Sequence, residues 1–203
     1  MQIQLENIGR RFNREWIFKN LSYMFVSGQS YAILGPNGSG KSTLVQLLSG
    51  SLTPSTGTIH YTDPTVDVED FHTCLSLAAP YLELIEEFTL TEMLEFHFKF
   101  KRPLDGITVP ELISLLGYPS AKNKQIKYFS SGMKQRVKLI LALFSDVPVV
   151  MLDEPTANLD QQGISWYLEL VNNYRRDRLF IVCSNQIHEY EFCEQQLSVT
   201  DFK

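Results

Sequence analysis

The chain has 203 residues, 44% of them hydrophobic and 20% charged, a composition that fits one sizeable α/β domain and excludes an intrinsically disordered chain. A formal net charge of -5 argues against nucleic-acid binding through a basic footprint, so the groups Arg10, Arg11, Arg14 and Arg175, Arg176, Arg178 are expected on solvated faces. The three cysteines, Cys74, Cys183 and Cys193, form no C-x-x-C pair, which suggests neither a disulfide framework nor a zinc site and fits a reducing cytosol.

In chain order, the N-terminal stretch MQIQLENIGRRF lacks the long apolar core of a signal peptide. No apolar run approaches the roughly 20 residues that cross a bilayer, so membrane association is expected through a partner. Residues 1 to about 75 are strand-rich, with strands predicted at 3–5, 31–34 and 58–61. From about 88 to 117 the pattern turns helical: Leu90, Leu94, Leu112, Leu115 and Leu116 recur at helical spacing, with Pro103 and Pro110 as breaks. Val137, Ile140, Leu141 and Phe144 mark one buried face of a helix that starts near Ser131. Residues 147–152 run unbroken apolar, as in a strand covered on both faces. A last helix over 161–174 and a strand over 179–183 complete an alternation that favours a layered α/β fold with a largely parallel sheet.

The stretch YAILGPNGSGKST places Gly35, Gly40, Lys41 and Ser42 at the G-x-x-x-x-G-K-[ST] spacing, after a predicted strand and before a helix. Backbone N–H groups of Gly35, Pro36, Asn37, Gly38, Ser39 and Gly40 (proline excepted) can turn inward around phosphate oxygens, and the helix aims its positive end at them. Lys41 then reaches the terminal phosphates, Thr43 lies in the first helical turn, and the Ser42 hydroxyl can ligate Mg²⁺. Downstream, Asp153 ends an apolar strand where it can hold the Mg²⁺ water shell, and Glu154 beside it can orient or deprotonate water. Between these two motifs Ser130, Ser131 and Gly132 open an amphipathic helix. In isolation such a segment is a plain helix cap; it also presents hydroxyl and N–H donors at a positive helix end.

Taken together, GPNGSGKST, FSSGMKQR and LDEPTANLD resemble the Walker A loop, the signature, and the Walker B and D-loop of the ATP-binding cassette (ABC) ATPase family, in order and spacing over nearly the whole chain. The resemblance implies an α/β P-loop NTPase with a RecA-like core, an antiparallel β subdomain and an inserted helical subdomain at about 80–145, in one domain over 1–203. It implies ATP and Mg²⁺ as ligands, transmembrane permease subunits as partners, and a second cassette facing the first in a homo- or heterodimer. It also implies a peripheral place on the cytoplasmic side of a membrane.

By the same resemblance, Phe12 matches the adenine-stacking aromatic, with Trp16 as its rival, and Asn158, Leu159 and Asp160 would contact the opposite protomer. Two positions depart from the family pattern. Ala79 and Pro80 stand where a glutamine is expected after a strand, with Glu83 the nearest polar candidate. Asn185 stands at the switch histidine, where it can donate a hydrogen bond to phosphate but cannot take up a proton; the alternative is a turn residue only. The aromatics Phe96, Phe98 and Phe100 are expected either to pack the helical insertion or to form a docking surface. Soluble ABC-type ATPases and a low-turnover nucleotide-gated module are the competing functions.

Overall fold

In the computed structural model, which describes residues 1–62 and 64–203, the strand-rich beginning of the chain folds into an antiparallel sheet ordered β2-β1-β4. Its strands are β1 (Gln2–Phe12), β2 (Glu15–Val26) and β4 (Thr56–Thr62). The β1–β2 hairpin turns between Phe12 and Glu15, with Asn13 at φ 54, a conformation that asparagine tolerates in tight hairpin turns. Sequence periodicity misses β2. Its fully buried residues are Phe18, Leu21 and Phe25; the three-residue spacing of Phe18 and Leu21 breaks the two-residue alternation, because between the pairs Ile8–Leu21 and Arg10–Phe18 three steps of β2 face two of β1.

The second sheet is parallel throughout and ordered β5-β6-β7-β3-β8, from β3 (Ser30–Leu34), β5 (Leu75–Ala78), β6 (Val149–Asp153), β7 (Leu179–Cys183) and β8 (Gln195–Ser198). Every residue of β6 and β7 is buried, which accounts for their continuous apolar sequences. The β7 and α5 (Gln161–Tyr174) boundaries coincide with those predicted.

Three helices lie between β5 and β6: α2 (Leu90–Phe100), α3 (Val109–Leu116) and α4 (Ser131–Leu143). Thr89 and Glu92 cap α2 reciprocally, and the Glu111 carboxylate accepts the Thr108 N–H at 2.7 Å at the start of α3. Val137, Ile140, Leu141 and Phe144 are buried together with Leu90, Leu94, Leu112 and Leu116 in one core that continues into β6 and β7. A second core joins the antiparallel sheet to the other face of the parallel one, through Ile3, Phe18, Phe25, Ile33, Met151 and Ile181.

The expectation of a solvated face fails for Arg178, which is only 8% exposed. Its guanidinium donates to the carbonyls of Leu143 and Ser145 at 3.0 Å each, of Arg175 at 3.1 Å, and of Tyr174. These carbonyls end α4 and α5 and have no helical partner, so one planar fork closes two helices. Burial lowers its pKa to about 10.

Candidate functional site

Strands β3, β5, β6 and β7 all run parallel, so their carboxyl ends open on one edge of the sheet, where α/β folds hold ligands. Residues 35–40 follow β3, Asp153 ends β6, and Ser184 and Asn185 follow β7. Asp153 pairs in register with Cys183, and the Glu154 N–H donates to the Cys183 carbonyl at 2.9 Å, bringing the acidic pair beside the turn that holds Asn185.

An open cavity of about 210 Å³ lies there, lined by Asn37, Gly38, Gly40, Lys41, Ser42, Thr43, Glu154 and Ile17. The loop enters α1 (Lys41–Leu48) through Gly40 at φ 105, and a Cβ on Gly40 would lie 2.3 Å from Ile17 Cγ2. Only glycine meets both constraints. Lys41 folds back, donating to the carbonyls of Gly35 at 2.8 Å and Pro36 at 3.3 Å. The Asn185 amide donates to Asn37 Oδ1 at 3.1 Å, so its side chain meets the loop.

Two buried polar groups next in the chain to its lining residues lack partners. Asp153 is 1% exposed and both carboxylate oxygens lack a hydrogen-bond partner; the Ser39 hydroxyl lacks one too. Burial raises the Asp153 pKa to about 6, while the nearby Ser42 hydroxyl acts to lower it without completing a hydrogen bond, Glu154 raises it and Lys41 lowers it. An orphaned buried carboxylate next to a serine hydroxyl is a donor set that suits a hard divalent cation. Glu154 sits at φ 47, a left-handed backbone rare outside glycine and worth of order 1 kcal/mol of strain.

Sequence reasoning passed over Tyr81. Its phenol is pushed up by burial and then by the Asp153 carboxylate, with the Gln46 side chain acting to lower it, so this ring borders the acidic strand end although 41% of the residue is exposed. Glu83 lies instead in a groove with Lys138, between β5 and the helices. A tyrosine three residues after a strand carries no signal of its own.

A second polar cavity, of about 240 Å³, is lined by Ser130, Ser131, Gly132, Met133 and Arg136 of the α4 start, by Tyr118, and by Asn158, Leu159 and Asp160. The Ser130 hydroxyl accepts the Met133 N–H at 3.2 Å as the helix cap. A Cβ on Gly132 would lie 2.8 Å from the Asn158 carbonyl, so glycine lets the helix start touch the loop after β6. Asp160 caps α5 through the Gly163 N–H at 2.8 Å and faces Arg136 at 3.9 Å.

Phe12 is 46% exposed, with the Arg10 guanidinium 4.6 Å from its ring centre. Trp16 lies under Arg11 and Lys19. Ile17, which sequence reasoning did not single out, is the β2 residue that lines the loop cavity. Of the insertion aromatics, Phe98 packs against the core, while Phe96 is 37% and Phe100 75% exposed.

Comparison with known proteins agrees with this geometry. The family described as ABC transporter matches residues 18–157. A cytochrome c biogenesis ATP-binding export protein of Brucella abortus is 32% identical over 189 residues, covering 92% of this chain and 86% of that protein. A lantibiotic transport ATP-binding protein of Streptococcus pyogenes is 27% identical over 190 residues, 91% of this chain and 80% of that one. Among solved structures, a dimeric bacterial ABC transporter cassette superposes with a TM-score of 0.79 at 21% identity, over 97% of this chain and 94% of that one. The loop after β3, the acidic end of β6 and the capped start of α4 all lie within the matched residues, and the chain belongs to the ABC transporter family as one of its ATP-binding cassettes, an ATPase.

Proposed function

We propose that this cassette is the ATP-hydrolysing subunit of a transporter, acting through separate transmembrane permease subunits by ATP-driven pairing with a second cassette, identical or not. The observation that carries the reading is the separation of the two polar cavities, which share no lining residue. The first holds a lysine, a phosphate-type loop and Glu154, which follows the buried Asp153; the second holds capped hydroxyl and N–H donors without a phosphate loop. Two copies placed head to tail would bring each cavity the half it lacks, and the dimeric form of the similar cassette supports this.

In this reading the 35–40 loop and Lys41 hold the phosphates, Phe12 stacks on the adenine, and Ser130, Ser131 and Gly132 of the facing copy reach the terminal phosphate. Ser42 and Asp153 would hold Mg²⁺, which neutralises charge on the phosphates when bound. Glu154 orients or deprotonates the attacking water, and Asn185 positions the terminal phosphate by hydrogen bonding. The unit spans 1–203, with a helical subdomain at about 80–145.

Among the described residues, no helix is long and apolar enough to cross a membrane. A groove of about 420 Å³ between β5 and the helices, lined by Leu77, Leu82, Leu84, Met93 and Leu141, offers a seat for a membrane subunit on the cytoplasmic side. The exposed Phe96 and Phe100 on α2 extend it.

The test is the mass of the Glu154→Gln chain in solution with Mg²⁺ and ATP. The expected result is a doubling on adding nucleotide; a chain that stays single even beside its membrane subunits would remove the reading. A low-turnover module that binds ATP as a gate is the second reading, favoured by Asn185 in place of histidine and by Ala79 and Pro80 after β5. Steady-state turnover of the assembled complex separates the two.

A further inference from the structure

Glu189 lies in the short helix α6 (Ile187–Tyr190) and is fully buried. Its hydrogen-bond partners are neutral. One carboxylate oxygen accepts the Thr156 N–H at 2.7 Å and the Thr156 hydroxyl; the other accepts the Ser184 hydroxyl. Its own backbone carbonyl accepts the hydroxyl of Tyr167, itself fully buried in α5, at 2.9 Å. The His188 Nε2 lies 3.0 Å from the same Thr156 hydroxyl.

The two segments joined here lead in different directions. Ser184 precedes Asn185, whose amide reaches Asn37 of the phosphate loop. Thr156 follows Glu154 by two residues and precedes Asn158, whose carbonyl touches Gly132 at the start of α4. One carboxylate therefore stands at the root of both the turn that faces the first cavity and the loop that borders the second. A buried carboxylate is costly unless its lone pairs are filled, and an apolar side chain would have packed at this place without that demand. Being an acceptor only, the carboxylate fixes the direction of every donor it meets, and such charge-assisted bonds are about twice as strong as neutral ones.

We propose that Glu189 is a positioning residue that makes the Ser184–Asn185 turn and the 156–160 loop move as one body, so that nucleotide in the first cavity is felt at the second. The inference rests on the first cavity being the ATP site. Glu189 reaches neither cavity itself; it acts through Thr156 and Ser184.

Amide hydrogen exchange of the full chain tests it, with Glu154→Gln present in all samples to hold Mg²⁺ and ATP and with the chain diluted until its mass in solution stays single, so that no facing copy covers 156–160. With Glu189 intact, ATP is expected to slow exchange about tenfold both at 184–188 and at 156–160. Adding Glu189→Ala should leave the 184–188 response and cut the 156–160 response to less than about twofold. Glu189→Gln should restore most of it, because its amide oxygen still accepts from Thr156 and its NH2 still meets the Ser184 hydroxyl. In the chain with native Glu154, Glu189→Ala should lower kcat about tenfold while KM stays within about twofold, since Lys41 and its loop are untouched.

If Glu189→Ala fails to fold, Ser184→Ala, which removes a single donor, should uncouple the two responses in the same direction. A 156–160 response that persists at full size in the folded Ala variants overturns the inference, as does a Gln variant no better than Ala. No response at either segment in the chain with intact Glu189 would instead overturn the ATP-site reading, and this inference with it.

Discussion

The two polar cavities of this cassette differ in how completely the protein satisfies them. The cavity at the end of the parallel sheet is lined by Glu154, held at φ 47, and the residues next to its lining in the chain include a buried Asp153 carboxylate and a Ser39 hydroxyl, both without a partner. In the cavity at the start of α4, the Ser130 hydroxyl caps its own helix, Asp160 caps α5, and Arg136 faces Asp160. None of the buried unpartnered side-chain atoms among the described residues belongs to it. The first is built against its own stability and leaves polar groups for something that arrives; the second is complete without a ligand. In the proposed reading, binding free energy is concentrated at the first cavity, and the second contributes chiefly by what it brings to a nucleotide held by a facing copy.

Substitutions in the two cavities should differ in size and even in sign. Replacing Glu154 with Gln is expected to lower ATP turnover by about 10²- to 10⁴-fold, or about 3 to 5 kcal/mol, the worth of a positioned base. Near-normal steady-state turnover of that variant would remove Glu154 from the chemistry.

Asp153 gives the next largest effect, on stability. Burial raises its pKa from 3.8 to about 6, so across that window the folded chain binds a proton that the unfolded chain does not. Its contribution is full below about pH 4 and is lost as pH rises through about 6, a change of about 3 kcal/mol by the shift of roughly two units. With metal chelated at pH 8, Asp153→Asn should therefore melt higher than the native chain, and the gap should close by pH 4, while Mg²⁺-dependent turnover is lost. Thermal melts that show no gain at pH 8 would mean that the carboxylate is not left unpaired.

A smaller effect is expected at Asn185, where the alanine variant should turn over ATP about tenfold more slowly, near 1.4 kcal/mol. An unchanged rate would leave Asn185 as a turn residue whose contact with Asn37 has no part in hydrolysis. Smallest is Ser130→Ala, which removes a helix cap worth about 1 kcal/mol of stability. It should leave the affinity of a single chain for ATP unchanged within about twofold, as binding calorimetry can measure, because the first cavity does not include it. A large loss of affinity in the lone chain would erase the contrast between the cavities.

Much of the fold was legible because its strongest signals are local. The apolar stretches of β6 and β7, the spacing of Val137, Ile140, Leu141 and Phe144, and the glycines around Lys41 each answer to a constraint within one element. Where a constraint came from elsewhere in the chain, the sequence was silent or misleading. β2 loses its alternation where an extra residue between Phe18 and Leu21 shifts its pairing with β1, and Arg178 looks like one more surface arginine until two helix ends converge on it. Ile17 and Tyr81 are ordinary residues that the packing turns toward the loop and the acidic strand end.

The order of motifs along the chain thus determined by itself the family, the parallel core and the residue types able to hold a triphosphate, since backbone geometry and charge at a helix start need only near neighbours in sequence. Tertiary structure alone decided which of those residues share a cavity, that Asn185 meets Asn37, that Asp153 is left unpaired, and that Glu189 bridges Ser184, five residues before it, to Thr156, 33 residues before it. Burial and hydrogen-bond partnership arise between segments distant in the chain, and no local pattern encodes them.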